Sequence, residues 1–172
     1  MKKVLKRFHE PFTADIEHPK TGVIEFIINE KSKQRGLLSF LSISLIDFSE
    51  VTLSDESLVI DVKPKILNPF RGMGKIYMHF YGGDNTSRTK VKGEIQAYNN
   101  RYLFTVCLFL GFLTVWTAFA LVIDTSINTY IVLALGWAVF SFILYMLPFW
   151  YRSRLREYKD AFLLILNSKS ME

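Results

Sequence analysis

Apolar and polar residues alternate in two segments near the end of the first hundred residues. GKIYMHFY (residues 74–81) and TKVKGEIQA (89–97) place apolar side chains at every second position. A period of two predicts a strand with one buried face. GGDNTSR (82–88) separates the two segments and is rich in turn-forming residues, so the pattern predicts a β-hairpin.

Four further segments extend this β-rich pattern. VTL (51–53) and LVIDV (58–62) flank SDES (54–57), which predicts a second hairpin. VIEFII (23–28) is a compact β-branched run that we interpret as a strand. LLSFLSISLIDF (37–48) is compatible with a helix or a buried strand, and we favour the strand. Five or six strands predict a small antiparallel sheet or barrel.

The second part of the chain has a different pattern. Residues 102–123 and 130–151 each form a run of 22 residues without a charged side chain. A helix that crosses a hydrocarbon core of about 30 Å needs about 20 apolar residues, so both runs are predicted transmembrane helices. The alternative is a pair of buried core helices. DTSINT (124–129) would be the loop of a transmembrane hairpin, outside the hydrocarbon.

Basic residues predict the orientation of this hairpin. Arg101 precedes the first run, whereas Arg152, Arg154 and Arg156 follow the second, and residues 124–129 contain no Lys or Arg. Basic residues that flank membrane spans stay in the cytoplasm. The sequence therefore predicts a multi-pass membrane protein with both termini cytoplasmic.

The segment after the second run is predicted to be an amphipathic helix. In RSRLREYKDAFLLIL (152–166), apolar residues recur at spacings of three and four, as Leu155, Tyr158, Phe162 and Leu166. This apolar stripe needs a partner, either the β-rich part or the membrane surface. The predicted fold is an α+β membrane protein: a cytoplasmic β-rich domain (1–100), a transmembrane hairpin (101–151) and a cytoplasmic tail helix (152–172).

Composition limits the chemistry that the chain can perform. Residues 1–100 carry 27 charged side chains and residues 101–172 carry 10. Cys107 is the one cysteine, which excludes a disulfide or a cysteine-based metal site within one chain. The three histidines are not at metal-ligand spacings, and we find no catalytic motif. We therefore predict a non-enzymatic protein without a metal or cofactor. RGMGK (71–75) weakly resembles a phosphate-binding loop, but a glycine-rich turn before a strand is the better interpretation.

The predicted 74–97 hairpin carries the best candidates for ligand binding. One face would combine aromatic rings, which stack on bases, with cations, which neutralise phosphates. These residues are Tyr77, His79, Tyr81, Arg88, Lys90 and Lys92. A nucleotide or short oligonucleotide would suit them, whereas the alternative is a solvated sheet face. Residues 1–100 contain 15 basic and 12 acidic groups, a net charge of +3, so this is not a strongly basic nucleic-acid domain.

Each predicted span also carries a stripe of small or weakly polar residues. The stripes include Gly111, Thr114 and Ala118 in the first span, and Ala134, Trp137, Ser141 and Tyr145 in the second. Small residues let helices approach closely in lipid. The stripes predict either hairpin packing within one protomer, or contacts in a homo-oligomer that line a weakly polar pore.

The order of these segments resembles a known architecture. NPFRGMGKIYMHFY, a turn, TKVKGEI, and a two-span hairpin that ends in FWYRSR and an amphipathic tail cover residues 68–166. They resemble small bacterial two-span membrane proteins with a cytoplasmic β-rich domain. The architecture is also similar to membrane effectors of bacterial antiphage systems, namely the CBASS β-barrel effectors and the channel subunit of the Hailong system. In the CBASS effectors, however, the spans precede the barrel.

The resemblance implies a ligand-controlled effector. A cytoplasmic β domain would sense a nucleotide messenger, and the attached helices would disrupt or open the membrane. We therefore expect an oligomeric inner-membrane effector or ion channel, active in antiphage defence and controlled by an anionic nucleotide. The alternative is a membrane-anchored structural or adaptor protein whose sheet face binds a protein partner.

Overall fold

The computed structural model describes residues 9–33, 46–54, 57–63, 72–82, 87–97 and 100–169. In these ranges the chain forms a helix-covered β-sheet joined to a helical hairpin. In chain order the elements are β1 (His9–Ile16), α1 (Lys20–Lys33), β2 (Val51–Leu53), β3 (Ser57–Val62), β4 (Gly74–Tyr81), β5 (Thr89–Gln96), α2 (Asn100–Ile123) and α3 (Ile127–Lys169).

The five strands form one antiparallel sheet in the order β1-β5-β4-β3-β2. The two predicted hairpins, β2–β3 and β4–β5, are confirmed. In the first, Ser54 and Ser57 exchange two backbone hydrogen bonds of 2.8 and 3.2 Å across the turn. Strands β1 and β2 lie at opposite edges of the sheet. The part of the chain that the structure describes therefore forms a sheet rather than the alternative barrel.

Strand β1 was not predicted from the sequence. It pairs with β5 along its whole length, from His9 opposite Gln96 to Ile16 opposite Thr89. The alternation of apolar and polar residues in β1 is weak, because one of the apolar positions is occupied only by an alanine, Ala14. Pro11 also argues against a central strand, but an edge strand tolerates proline because one side of its backbone is not paired in the sheet.

The prediction of a strand at residues 23–28 was wrong, because this segment lies inside helix α1. Val23 and Ile27 are buried, with exposed fractions of 1% and 0%, and Phe26 packs partly against the same core. Spacings of three and four place these side chains on one helical face. The amide of Val23 donates to the carbonyl of Pro19 at 3.2 Å, so the proline stands where a helix tolerates it, at the start.

The ambiguous segment 37–48 lies mostly outside the described residues. At its end, Phe48 begins a 3-10 turn, Phe48–Glu50, instead of continuing a strand. The side chain of Asp47 caps this turn by accepting a hydrogen bond of 2.9 Å from the amide of Ser49. The turn leads directly into β2.

The core lies between one face of the sheet and two helices. Alternating strand residues such as Ile76, Met78 and Ile95 are fully buried and form one cluster with residues of α1 and of the second half of α3. Phe48 connects these helices, because its ring lies 6.0 Å from that of Phe26 and 5.7 Å from that of Phe162.

The predicted apolar stripe after the second span packs against the sheet. Leu155, Tyr158, Phe162 and Leu166 are each at most 1% exposed and belong to the core. The hydroxyl of Tyr158 also accepts a hydrogen bond of 3.1 Å from the amide of Asp47. Of the two predicted partners, the β-rich part is therefore the one that the structure provides.

A charged contact adds to this packing. Glu10 of β1 accepts hydrogen bonds of 2.5 and 2.6 Å from the guanidinium of Arg156 and lies 3.5 Å from Arg152. The bond to Glu10 raises the pKa of Arg156. The first strand is thus attached to the helix at the point where α3 meets the sheet.

The bounds of helix α3 differ from those predicted from the sequence. The second apolar run and the tail are one continuous helix of 43 residues, with Pro148 inside it. The helix begins at Ile127, three residues before the predicted start at 130. The connection between α2 and α3 is therefore only residues 124–126.

Helices α2 and α3 are long and apolar enough to cross a membrane. Their most apolar windows have mean hydropathies of 2.5 and 2.2, and only 6% of each window is buried in the protomer. A core helix of the protomer would be mostly buried, and neither of these windows is. In the connection, Asp124 accepts hydrogen bonds from the hydroxyls of Ser126 and Thr129, both at 2.6 Å, which lower the pKa of its carboxyl group.

Candidate functional site

The candidate ligand-binding residues lie on the sheet face that the helices leave open. In the β4–β5 register, Tyr77 stands opposite Glu94, His79 opposite Lys92 and Tyr81 opposite Lys90. Side chains alternate between the two faces of a strand, so these residues point away from the core formed by their neighbours. The alternation in the sequence thus identified the open face of this hairpin.

Part of this face forms a shallow depression of about 310 Å³, near the lower limit of typical small-molecule sites. Its lining consists of Tyr77, His79, Lys92, Gly93, Glu94 and Gln96. We call this surface the sheet depression. Aromatic, cationic, anionic and amide groups meet there, and this combination suits a ligand that carries both an aromatic ring and a negative charge.

The other predicted residues lie beside the depression. The ammonium group of Lys92 is 5.3 Å from the centre of the Tyr81 ring, which places Tyr81 at the edge of the site. Lys90 is exposed and stands opposite Tyr81, one step closer to the turn. Arg88 lies 4.0 Å from Glu17, so its charge is directed in part to a carboxylate outside the depression.

Sequence reasoning missed three residues of this region. Glu94 and Gln96 are in phase with Lys92 along β5, and this phase was the signal that could have identified them. His9 contacts the carboxylate of Glu94 through its Nδ1 atom. That contact was not predictable because β1 was not recognised as a strand.

The open face carries a balanced set of charges. Lys90 stands between Asp15 on β1 and Tyr81 on β4, and Lys75 stands opposite Asp61 on β3. Glu94 contributes a further negative charge within the depression. Cross-strand neighbours of opposite sign stabilise the sheet and reduce its attraction for a polyanion. The face therefore suits a small ligand better than a long nucleic acid.

The glycines of RGMGK serve packing. A Cβ atom on Gly72 would lie 2.9 Å from the Cβ of Arg154, and one on Gly74 would lie 2.5 Å from Leu155 Cδ1. Both residues therefore let the start of β4 approach α3 closely. Because β4 follows instead of a helix, the segment lacks the helix N-terminus that a phosphate loop uses.

The predicted stripes of small residues lie largely outside the contact between α2 and α3. Leu113 of α2 and Leu133 of α3 are buried, and the indole N–H of Trp137 donates to the hydroxyl of Thr117 at 2.9 Å. Of the predicted stripe residues, Trp137 makes this contact with the neighbouring helix. The other members are exposed in the protomer, namely Gly111, Thr114, Ala118, Ala134, Ser141 and Tyr145.

The sheet depression is close to the hairpin along the chain. Strand β5 ends at Gln96 and α2 begins at Asn100, so three residues join a wall of the depression to the first apolar helix. Across residues 9–33, 46–54, 57–63, 72–82, 87–97 and 100–169, no group of three His, Cys, Asp or Glu side chains is arranged to hold a metal ion.

No protein-family model, curated protein or solved structure matches this chain.

Proposed function

We propose that this protein is an oligomeric effector or ion channel of the bacterial inner membrane, controlled by an anionic nucleotide-type ligand at the sheet depression, with a role in antiphage defence. The observation that carries the proposal is the continuity of α3. One helix contains an apolar half, long enough to cross a membrane, and a second half whose side chains belong to the sheet core. No flexible linker separates the two.

Helix α3 is long enough both to cross a membrane and to pack against the sheet. A helix of 43 residues extends about 65 Å at 1.5 Å per residue. Crossing the hydrocarbon requires about 20 residues, so a comparable length remains to pack against the sheet. A displacement of the sheet would therefore reach the spans through α3.

The chemistry of the sheet depression supports a small anionic ligand. Tyr77 offers a ring for stacking a base, and Lys92 beside His79 offers donors for a phosphate. Glu94 and Gln96 add hydrogen-bonding groups that a base edge can contact. Coupling to the spans requires that the ligand bind two arrangements of the protein with different affinities.

The hairpin supports an oligomer. Two helices cannot enclose a pore, so a channel needs several copies of the hairpin. Gly111, Thr114 and Ala118 are exposed in the protomer, as are Ala134 and Ser141 on the second helix. Small residues on a lipid-facing surface are suited to close contact with another helix.

The central experiment measures nucleotide binding by the full chain in detergent micelles. Lys92→Glu replaces a phosphate donor with a repelling charge, so we expect at least about tenfold weaker affinity for a mononucleotide. Lys33→Glu, at the end of α1, makes the same change in net charge away from the sheet depression and should leave affinity unchanged. Equal affinity of wild type and Lys92→Glu would remove the site assignment.

A second candidate function is supported by the balanced charges of the open face. Asp15, Asp61 and Glu94 alternate with lysines across the sheet, a pattern that also suits a polar protein partner. The hairpin would then serve only as an anchor. Light scattering and liposome leakage distinguish the two candidates: a monomer that binds no nucleotide and causes no leakage would support the adaptor and contradict the effector.

A further inference from the structure

Pro148 creates a weak point inside α3. It is buried and lies between the apolar half of the helix and the half that packs on the sheet. Because proline has no N–H group, residue 148 cannot donate the usual helical hydrogen bond to the carbonyl of Leu144, four residues earlier. Such positions commonly bend or weaken a helix.

The neighbouring helix supplies a donor to this carbonyl. The hydroxyl of Tyr102, near the start of α2, donates to the carbonyl oxygen of Leu144 at 3.1 Å. The Tyr102 ring also meets the Tyr151 ring edge-on, with 6.4 Å between the ring centres. Tyr102 therefore spans the weak point, since it contacts α3 on both sides of Pro148.

Tyr102 and Leu144 are connected to the sheet through different parts of the chain. Tyr102 follows β5 after a connection of three residues and the first two residues of α2. Leu144 belongs to α3, which the sheet holds through core residues that begin at Leu155. A shift of β5 relative to the second half of α3 would therefore reach the Tyr102–Leu144 hydrogen bond.

We propose that Tyr102 is a positioning residue that controls bending of α3 at Pro148. When its hydroxyl is bonded to Leu144, α2 holds α3 in its present path. When the bond is broken, the carbonyl of Leu144 loses this donor, and α3 can change direction between the spans and the sheet. Interhelical hydrogen bonds of this kind typically shift an equilibrium only about threefold, so the contact can be released by a modest displacement.

The role of Tyr102 does not depend on what binds the sheet. Tyr102 would respond to any displacement of the sheet, in an effector and in an adaptor alike. Its test therefore needs no ligand, and it can fail or succeed independently of nucleotide binding.

The first measurement is hydrogen–deuterium exchange of the full chain in detergent micelles. Tyr102→Phe removes the hydroxyl and keeps the ring, so we expect amides in residues 140–152 to exchange about threefold faster. Tyr130→Phe is the matched control, because Tyr130 carries the same hydroxyl on an exposed part of α3 outside residues 140–152. Peptides from β4 provide an internal reference for the fold.

The second measurement tests whether the hydroxyl acts through the carbonyl that Pro148 leaves free. Pro148→Ala restores an N–H group for Leu144, so Tyr102→Phe should have little effect in that background. An equal acceleration with and without Pro148 would overturn the proposal, as would unchanged exchange in Tyr102→Phe itself. If Tyr102→Phe alone fails to fold, the proposal requires the double variant to fold, and failure of both would overturn it.

Discussion

At the scale of single residues, glycine determines how closely the elements of the sheet approach. A Cβ atom on Gly93 would lie 2.3 Å from Phe12 Cζ and 2.4 Å from the carbonyl oxygen of Tyr77. The Phe12 ring, opposite Gly93 on β1, therefore occupies the space that a side chain would need. The ammonium group of Lys159 lies 5.0 Å from the centre of the same ring, which connects β1 to α3.

Gly93→Ala is therefore expected to destabilise the protein by about 1–3 kcal/mol, because Phe12 or the backbone must move to admit the methyl group. Chemical denaturation in detergent micelles measures this change. Gly136→Ala in α3 is the control, since no atom outside its own helix backbone lies within 4 Å of the position that its Cβ would occupy. A Gly93→Ala variant as stable as the wild type would contradict the close packing described here.

Candidate site residues differed in how far sequence could identify them. The alternation of β4 and β5 placed Tyr77, His79 and Lys92 on one face, and local periodicity was sufficient for that. The contact of His9 with Glu94 joins two strands 85 positions apart in the chain. Nothing local in the sequence indicates such a pairing, because it depends on the order of strands in the sheet.

At the scale of elements, the sequence pattern led to a wrong prediction for α1 and to a correct one for the second half of α3. VIEFII has strong strand propensity, but its placement between polar residues after Pro19 allowed a helix whose buried face is Val23 and Ile27. Tertiary packing overrode local propensity there. In α3 the spacing of apolar residues predicted both the helix and its buried face, because a period of three to four over fifteen residues has few alternative interpretations.

The packing of α3 on the sheet predicts a clear difference between two neighbouring residues. Phe162 is fully buried against the sheet, so Phe162→Ala should destabilise the protein by about 3–5 kcal/mol. Leu164, two positions further along, is 67% exposed, and Leu164→Ala should cost at most about 0.5 kcal/mol. Denaturation of both variants under the same conditions gives the comparison; similar losses would mean that α3 is not docked as described.

At the scale of the whole molecule, the proposed membrane topology follows from the distribution of charge. Arg152, Arg154 and Arg156 lie at the junction of α3 with the sheet, whereas residues 124–126 at the opposite end of the hairpin carry no basic group. The sheet should accordingly face the cytoplasm and the short connection the periplasm.

Cysteine labelling tests this topology in a Cys107→Ser background. Thr125→Cys should react with a membrane-impermeant maleimide once the outer membrane is opened, because the proposed topology places the connection in the periplasm. Ser54→Cys, on an exposed turn of the sheet, should react only after the inner membrane is also permeabilised. Labelling of both sites before that step would contradict a cytoplasmic sheet, and labelling of neither would contradict a transmembrane hairpin.

By itself, the sequence determined features with a local physical cause. Two long uncharged runs specify apolar helices, because a helix pairs the polar peptide groups of a single segment within that segment. Alternation specifies the open face of β4 and β5, since successive side chains of a strand point to opposite sides. The apolar spacing after residue 152 specifies a helix with one buried face.

Only the tertiary structure decided what depends on contacts between distant segments. It gave β1 its place beside β5, made 23–28 a helix, and joined the second apolar run and the tail into one continuous helix. It also directed the hydroxyl of Tyr102 to the carbonyl left free by Pro148. The physical reason is that burial and hydrogen-bond satisfaction are properties of the assembled chain, so a short segment adopts whichever local structure lets its partners be buried and paired.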